Sequence, residues 1–407
     1  MKLIVMTMLA CCALAAQIKV VVPAIGPKPV GPYSPGLDTG KYLYVSGQGA
    51  RSPEGKFADS AEDRVRQCLK NVQYIVEAAG LTMEHIVYTQ VYLHRDISYE
   101  VMNKVWAEVF PKNPPARATL GVHRMPTETT VEVSAVAVRD LSMKRAVTPA
   151  GWPKMNLAPG ILTPERLYIS GFLGRDPVTG KIPDTPAAQV QLALDRMKAV
   201  LNAAGLGFEH VAFVNPYHTA AIPRRVLDEV YAKHFQFGNT PARATIQVAF
   251  LPHEAGIEFT GVAVRNLSDR KAVRPKNMPP SATASPCVWA AEVFYCSAKS
   301  GFIPGANGGI YADTVEDQVR QTMRNLLDGL EETGIDFSRV VASNVYVDNL
   351  DEFGRMNGVY GKYFPAASYP TRTTVAPLPP LAPEDKKKNA NGQFPKLEEV
   401  SIVAVKP

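Results

Sequence analysis

Pro115-Ala116-Arg117-Ala118-Thr119 is the stretch that decides the fold, because it occurs three times. It returns as Pro241-Ala242-Arg243-Ala244-Thr245 and as Pro370-Thr371-Arg372-Thr373-Thr374, each time before an apolar run. Matching helical segments lie upstream at residues 62–80, 187–205 and 316–334, spaced by 125 and then 129 residues. The sequence therefore consists of three tandem copies of one unit.

Each copy alternates helical and strand-like patterns in the same order. In the first helical segment Val65, Leu69 and Val72 fall on one face, and Gly80 stands where a glycine commonly ends a helix. A strand-like run and a second helix come next, and the repeated Pro segment opens the last two strands. This order predicts an α+β domain whose helices cover one face of a sheet. The strand-like runs lie at residues 85–93, 210–218 and 339–347.

The linkers between the copies repeat as well. Arg139-Asp140-Leu141-Ser142 matches Arg265-Asn266-Leu267-Ser268, which places the boundaries near residues 147 and 273. The third copy contains an insertion whose Pro, Lys, Asn and Gly content predicts an exposed loop. We therefore predict domains at residues 17–146, 147–272 and 273–407, with the inserted loop at 380–396.

Residues 1–16 have the pattern of a signal peptide. Lys2 precedes an apolar run from Leu3 to Leu14, and cleavage is expected near Ala15 or Ala16. The alternative interpretation is an N-terminal apolar strand. No other segment approaches the roughly eighteen continuous apolar residues of a membrane-spanning helix. We expect an exported, periplasmic or secreted protein that is soluble.

The net charge and the positions of the cysteines and histidines argue against several classes of function. The formal net charge of +6 is small for 407 residues, and basic and acidic residues are interspersed, so no nucleic-acid partner is predicted. Cys68, Cys287 and Cys296 occupy unrelated positions and cannot all pair with one another, so we expect no disulfide framework. Zinc-type Cys and His spacing is absent, and no histidine recurs in all three copies. A metal site and a histidine-based triad are therefore not predicted.

The recurring arginine and a recurring glutamate are the first candidates for chemistry. Arginine suits bidentate recognition of a carboxylate. In the first two copies a glutamate lies 15 residues after the arginine, and in the third it aligns once the insertion is removed. A hairpin would bring both side chains of one copy to the same end of the sheet. The alternative is a structural ion pair copied by duplication. These residues are Arg117, Arg243 and Arg372, with Glu132, Glu258 and Glu399.

A serine and glycine at the end of a strand form the second candidate. Ser46-Gly47 is matched by Ser170-Gly171 and, less well, by Ser297-Ala298. These residues could offer a hydroxyl and backbone donors to a ligand, and the alternative is a plain strand that ends in a turn.

The motif series of the first copy resembles that of the RidA/YjgF family of imine and enamine deaminases. The matching segments, in order, are Gly31-Pro32-Tyr33-Ser34, Val45-Ser46-Gly47-Gln48, Asn103, Pro115-Ala116-Arg117-Ala118-Thr119 and Val131-Glu132-Val133. The resemblance implies a chorismate-mutase-like fold and substrate clefts between the subunits of a homotrimer. Three fused copies would then form a single-chain pseudo-trimer, in which three domains substitute for a homotrimer.

The resemblance also implies roles for these residues. Arg117 would hold the substrate carboxylate and Glu132 would position a hydrolytic water, while Tyr33, Ser46, Gly47 and Asn103 complete the pocket. The second copy retains Ser170, Gly171, Arg243, Thr245 and Glu258, but has Leu157 and Asp228 at the tyrosine and asparagine positions. The third retains Ser297, Asn357, Arg372, Thr374 and Glu399, but has Ala284 and Ala298 at the tyrosine and glycine positions. Thr119, Thr245 and Thr374 stand where many family members carry a reactive cysteine.

The activity implied is the hydrolysis of small 2-imino or 2-enamino acids to 2-oxo acids and ammonia, without a metal or organic cofactor. Such chemistry needs an oriented water more than an activated nucleophile. The first copy is the fullest match and is expected to be the most active. The alternatives are a protein that binds a small carboxylate, such as a 2-oxo acid, without turnover, and a ribonuclease.

Overall fold

The computed structural model describes residues 18–276, 278–305 and 308–407. The signal peptide predicted at residues 1–16 lies outside the described residues. Within the described part, three mixed sheets follow one another along the chain, and each has two helices packed on it. The predicted α+β class and the three tandem domains are confirmed.

The first domain contains six strands and two α-helices. Its elements are β1 (Lys19–Val21), β2 (Gly36–Asp38), β3 (Tyr42–Gly49), α1 (Ala61–Ala78), β4 (Ile86–Leu93), α2 (Tyr99–Val109), β5 (Ala116–Gly121) and β6 (Val131–Val138).

The other two domains repeat this order. The second contains β7 (Arg145–Val147), β8 (Gly160–Leu162), β9 (Arg166–Leu173), α3 (Pro186–Ala203), β10 (Val211–His218), α4 (Arg224–Tyr231), β11 (Ala242–Arg243), β12 (Ile246–Gln247) and β13 (Ile257–Val264). The third contains β14 (Arg270–Val273), β15 (Cys287–Ala290), β16 (Val293–Lys299), α5 (Val315–Glu331), β17 (Val340–Val347), α6 (Phe353–Tyr360), β18 (Thr371–Val375) and β19 (Glu398–Val405).

The sequence at the helix ends explains why the first long helix forms where it does. The Ser60 side chain accepts a hydrogen bond from the Asp63 backbone N–H at the start of α1, and Gly80 adopts a φ of +75° just past its end. Val65, Leu69 and Val72 are buried against the sheet. The predicted face and the glycine stop are confirmed.

Strand order separates the arginine of each copy from the glutamate of the same copy. The first sheet runs β1-β2-β3-β6-β4-β5. Helix α2 connects β4 to β5, which makes these two strands parallel, while β6 enters on the other side of β4. The predicted hairpin is therefore wrong, because Arg117 on β5 and Glu132 on β6 flank a third strand.

The sheets begin slightly before the residues where the repeat pattern places the domain boundaries. Arg145–Val147 pairs with Gly160–Leu162 in the second sheet, and Arg270–Val273 pairs with Cys287–Ala290 in the third. Residues 380–396 contain neither helix nor strand, and most of them are exposed.

The three sheets pack on one another through a shared apolar core. The equivalent tyrosines Tyr44, Tyr168 and Tyr295, one from each domain, belong to this core. A second shared cluster contains the equivalent residues Tyr92, Tyr217 and Tyr346. The sheet faces turned away from the helices are therefore buried between domains.

Arg166 is a charged residue inside this shared region. Its side chain is 0% exposed, and Nη1 donates to Ala290 O at 3.2 Å and to Glu292 Oε1 at 3.1 Å in the third domain. The guanidinium also lies 4.5 Å above the ring of Tyr42 in the first domain. One cation thus contacts all three domains. Tyr42 in the first domain and Val293 in the third occupy the position equivalent to Arg166, because each of the three residues pairs with the corresponding valine of the neighbouring strand.

Two cysteines correct the expectation that disulfides are absent. Cys287 and Cys296 are direct partners on β15 and β16 and form a disulfide, while Cys68 is free and buried. Strand pairing brings residues nine apart face to face, which their positions in the sequence did not reveal. None of the described helices has the length and apolar character that crossing a bilayer requires.

Candidate functional site

Three equivalent hydrogen bonds join the domains into a closed ring. The backbone N–H of Arg117 donates to Ser170 Oγ at 2.8 Å, that of Arg243 to Ser297 Oγ at 2.8 Å, and that of Arg372 to Ser46 Oγ at 2.9 Å. Each recurring arginine therefore meets the serine of another domain. We call the three sites the 1–2 cleft, the 2–3 cleft and the 3–1 cleft, after the domain that supplies the arginine and the domain that supplies the serine.

The serine hydroxyls are used within the protein. Each donates to a backbone carbonyl twelve residues earlier at 2.6 Å, namely Ser34, Ala158 or Ser285. Since the same oxygen also accepts from the arginine N–H, the hydroxyl fixes the arginine strand against the neighbouring domain. This role differs from the ligand donor considered from the sequence.

In the 3–1 cleft, Arg372 is held among aromatic rings without a protein acceptor for its outer nitrogens. Its guanidinium carbon lies 4.9 Å from the Tyr360 ring centre, 5.5 Å from that of Phe353 and 5.6 Å from that of Tyr33. Within the described chain, neither Nη1 nor Nη2 has a hydrogen-bond partner, and Asn357 Oδ1 also has none. Buried donors rarely remain unpaired. The outer nitrogens of Arg372 are therefore buried donors for which the described protein supplies no acceptor.

Glu132 enters the 3–1 cleft from the first domain. It is 6% exposed, and burial raises its pKa to about 8, although Arg372 opposes the shift. Gly47 makes room for it, because a Cβ at that position would overlap Glu132 Oε1. The absence of a side chain at Gly47 is therefore what allows the Glu132 carboxyl group to occupy this position.

A cavity of about 290 Å³ opens onto these groups. Arg372, Glu132, Tyr33 and Thr374 contribute to its walls, and the segment from residue 22 to residue 30 forms much of one side. Thr374 Oγ1 is buried and has no hydrogen-bond partner among the described residues. The 3–1 cleft therefore contains a residue of each type in the motif series, and these residues come from the first and third domains.

The 1–2 cleft has the same plan with a more occupied arginine. Arg117 Nη2 donates to Asn103 Oδ1 at 2.6 Å and to Tyr99 Oη at 3.2 Å. Glu258 Oε1 accepts from the Thr119 backbone N–H at 3.2 Å, and burial raises the pKa of Glu258 to about 8. As in the 3–1 cleft, a side chain on Gly171 would overlap the glutamate. Leu157 replaces the tyrosine of the motif.

The 2–3 cleft departs from this plan at both charged residues. Arg243 Nη1 lies 2.7 Å from Asp228 Oδ1, so its charge is already paired. Ala298 replaces the glycine that leaves room for the glutamate in the other clefts, and Glu399 lines the same cavity as Arg243. Glu399 instead accepts from Lys396 Nζ at 2.5 Å. Its cavity, also about 290 Å³, is lined in part by Thr245 and Ser297.

The first copy, although its motif set is full, does not form one site. Arg117, Asn103 and Thr119 lie in the 1–2 cleft, whereas Tyr33, Ser46, Gly47 and Glu132 belong to the 3–1 cleft. The motif set of the first copy is therefore divided between two clefts, and the expected higher activity of the first copy stays a prediction. The most complete set is shared between the first and third domains, where Asn357, Arg372 and Thr374 complete it.

An aromatic floor beneath each arginine is a feature that the sequence analysis did not assign to the site. The ring centres of Trp106, Tyr231 and Tyr360 lie 4.7, 4.3 and 4.9 Å from the guanidinium carbons of Arg117, Arg243 and Arg372. A recurring aromatic residue near the end of the second helix was the available signal. In the described residues, no group of three or more His, Cys, Asp or Glu side chains could hold a metal ion.

Comparison with known proteins places this architecture in a family. The sequence profile of the endoribonuclease L-PSP family matches residues 24–139, 153–265 and 276–381. A RutC family protein of Pyrococcus horikoshii is 35% identical over 116 residues, which make up 28% of this chain and 92% of that protein. A 2-iminobutanoate/2-iminopropanoate deaminase of Salmonella typhimurium is 36% identical over 117 residues, 28% of this chain and 91% of that protein.

One solved structure illustrates the single-domain scale of these likenesses. The YjgF gene product of E. coli is 33% identical, and the match covers 30% of this chain and 99% of that one, with a TM-score of 0.29. The family profile, in contrast, matches three times and spans most of the chain. Because this profile covers more than half of the chain, the chain belongs to the endoribonuclease L-PSP family, which includes the RidA/YjgF proteins, and carries three successive copies of the family domain.

Proposed function

We propose that the protein hydrolyses 2-imino or 2-enamino acids to 2-oxo acids and ammonia, chiefly in the 3–1 cleft. The observation that carries this proposal is the pairing of Arg372, whose outer nitrogens have no partner among the described residues, with the buried Glu132 across one open cavity. Relatives named 2-iminobutanoate/2-iminopropanoate deaminase support the reaction class.

Arg372 would bind the substrate carboxylate. Its two outer nitrogens can donate in parallel to two carboxylate oxygens, and the aromatic rings around it exclude water. Burial lowers the pKa of Arg372, so an anion that enters this pocket meets a cation without full solvation. This arrangement fixes one end of the substrate and leaves the imine carbon in the cavity.

Glu132 would handle the proton. With a pKa of about 8, its carboxyl group is mostly protonated at pH 7 and can donate to the imine nitrogen. Protonation makes the imine carbon more electrophilic, and the other carboxyl oxygen can accept from the attacking water. Glu132, which has regained a proton from the attacking water, donates it to the amino nitrogen of the carbinolamine and takes up the hydroxyl proton as the C–N bond breaks. The products are a 2-oxo acid and ammonia, and the carboxyl group is again protonated.

Replacement of Glu132 by Gln distinguishes catalysis from binding. Gln keeps the size and polarity of the side chain but cannot supply the proton. We expect Glu132→Gln to lower the rate of imine hydrolysis about 100-fold, while the affinity for a 2-oxo acid measured by calorimetry changes less than threefold. Parallel loss of both would favour the alternative, a carboxylate-binding protein without turnover, and RNA cleavage by the wild type without imine hydrolysis would favour a ribonuclease.

We also propose that the three domains work as a single chain in place of a homotrimer. The closed ring of serine and arginine hydrogen bonds and the shared core support this view. The mass in solution should equal that of one chain, and a stable trimer of chains would contradict the proposal.

Export to an oxidising compartment is a further proposal. It is supported by the pattern of residues 1–16 and by the Cys287–Cys296 disulfide, since such bonds persist mainly outside reducing compartments. The N-terminus of the protein purified from its source should lie near Ala16 or Gln17. Recovery of Met1 on cytoplasmic protein would exclude this.

A further inference from the structure

Positive charge exceeds negative charge in the walls of the 3–1 cleft. Arg372, Arg51 and Lys28 contribute to the cavity, and Glu132 is the one acidic residue among its described lining residues. Glu132 carries little charge at neutral pH, because burial raises its pKa to about 8. One substrate carboxylate on Arg372 would therefore leave the cation of Arg51 without a counter-charge from the cavity wall.

The position of Arg51 is fixed by the fold. It follows β3, and its backbone carbonyl accepts from Asn71 Nδ2 at 2.8 Å, while the same amide group donates to Gly49 O at 2.9 Å. The Arg51 side chain donates from Nη2 to Lys28 O at 3.1 Å on the segment that forms the cavity wall. Helix α1 thus anchors the backbone from which this side chain reaches the cavity.

Tyr33 lies close enough to both Arg372 and Arg51 for each charge to act on its phenol group. Burial raises the pKa of the Tyr33 phenol, and the nearby charges of both Arg372 and Arg51 oppose that shift. Both guanidinium groups therefore lie within electrostatic reach of one phenol oxygen. Arg372, Tyr33 and Arg51 also line the same cavity, so a ligand bound to Arg372 shares this cavity with the Arg51 cation.

The residues equivalent to Arg51 in the second and third domains show whether the other copies also carry an arginine here. Arg175 stands at this position in the second domain, with its carbonyl held by Arg196 Nη1 at 3.2 Å. Phe302 stands there in the third domain, with its carbonyl held by Asn325 Nδ2 at 2.9 Å. An arginine thus stands at this position in the two domains whose glycine, Gly47 or Gly171, leaves room for a buried glutamate, and a phenylalanine stands there in the domain that carries Ala298.

We propose that the 3–1 cleft selects 2-imino acids that carry a second carboxylate, with Arg372 on the carboxylate beside the imine and Arg51 on the distal one. The substrate class is the imine formed when an acidic amino acid is oxidised, and its hydrolysis by one water yields a 2-oxo dicarboxylate and ammonia. This inference rests on the proposed function for the reaction and goes beyond it in naming the substrate class.

The test compares two imines in the full-length protein. 2-Iminosuccinate and 2-iminobutanoate are generated in place by amino-acid oxidases, and the quantity measured is the ratio of their kcat/KM values after subtraction of spontaneous hydrolysis. We expect the wild type to favour 2-iminosuccinate at least tenfold. Arg51→Gln keeps a donor for Lys28 O but removes the charge, and should reduce this ratio tenfold or more, mainly through KM.

Arg324→Gln, which removes a surface arginine from α5, is the matched control and should leave the ratio unchanged. A wild type without preference for the dicarboxylate, or an unchanged ratio in Arg51→Gln, would overturn the inference. If neither imine is hydrolysed, the proposed function fails, and calorimetry with oxaloacetate and 2-oxobutanoate then tests Arg51 separately. A preference for oxaloacetate that Arg51→Gln removes would support the role of Arg51 in selection, and equal affinities would overturn it.

Discussion

The 3–1 cleft and the 2–3 cleft contain the same arginine, serine and threonine but differ in their electrostatics. In the described part of the chain, the outer nitrogens of both Arg372 and Arg243 lack a well-aligned hydrogen bond, but Arg243 Nη1 lies 2.7 Å from Asp228 Oδ1 and forms an ion pair with that carboxylate. A buried cation attracts an anionic ligand only while its charge is uncompensated. The comparison teaches that the retained arginine does not by itself identify a working cleft.

Substitution of the arginine in each cleft by alanine should give the largest difference in activity between the two clefts. We expect Arg372→Ala to reduce kcat/KM for imine hydrolysis at least 100-fold, because it removes a bidentate, charge-assisted contact. Arg243→Ala should change it less than twofold. Steady-state kinetics of both folded variants is the measurement, and equal losses would show that the clefts contribute alike.

The glycine position offers a way to convert one cleft towards the other. Gly47→Ala introduces the Cβ that Ala298 already has, and this atom would displace Glu132. We expect a loss of about 30-fold in kcat/KM for imine hydrolysis. Gly358→Ala on α6 is the control, because a Cβ there meets no atom within 4 Å. A Gly47→Ala variant as active as the control would mean that the glutamate need not occupy this position.

The pH profile tests the state of Glu132. Its pKa of about 8 in the folded protein means that the protonated form falls from about nine-tenths at pH 7 to about one-tenth at pH 9. Catalysed hydrolysis should therefore drop about tenfold between these pH values. A rate that rises through pH 8 would instead assign the active role to the ionised carboxylate.

The reverse conversion of the 2–3 cleft should give the smallest effect. In an Arg372→Ala background, the substitutions Asp228→Asn and Lys396→Gln would remove the ion pairs of Arg243 and Glu399, and Ala298→Gly would restore the glycine of the other clefts. Because Ala284 still lacks a phenol, we expect only a few-fold gain in hydrolysis over the background. No gain with intact folding would show that other differences disable this cleft.

The repeat pattern could reveal the domains and most site residues, but not how the residues are shared. Spacing along the chain identified Arg117 and Glu132, yet a helical crossover between β4 and β5 makes these strands parallel and inserts β4 between the two side chains. Their partners come from other domains, and such pairings depend on packing between sheets. The disulfide escaped for a similar reason, since only strand register brings Cys287 opposite Cys296.

The sequence shows where the second and third copies depart from the motif series, but it does not show how these departures change the clefts. Ala298 and Asp228 were visible as departures from the motif. The consequence expected of Ala298, less room for a carboxylate, follows only from the close approach of the equivalent Gly47 to Glu132. The ion pair of Arg243 with Asp228 likewise depends on how α4 lies over β11.

The buried Arg166 bears on what each copy could do alone. Its position corresponds to Tyr42 and Val293 in the other copies, and its charge is balanced by Glu292 from the third. Three identical second domains would bring three buried guanidinium groups close to one another, where like charges repel. The second domain, cut free, could not rebuild the ring from copies of itself. If the three domains replace a homotrimer, as we propose, covalent fusion lets each copy hold residues that a symmetric assembly would forbid.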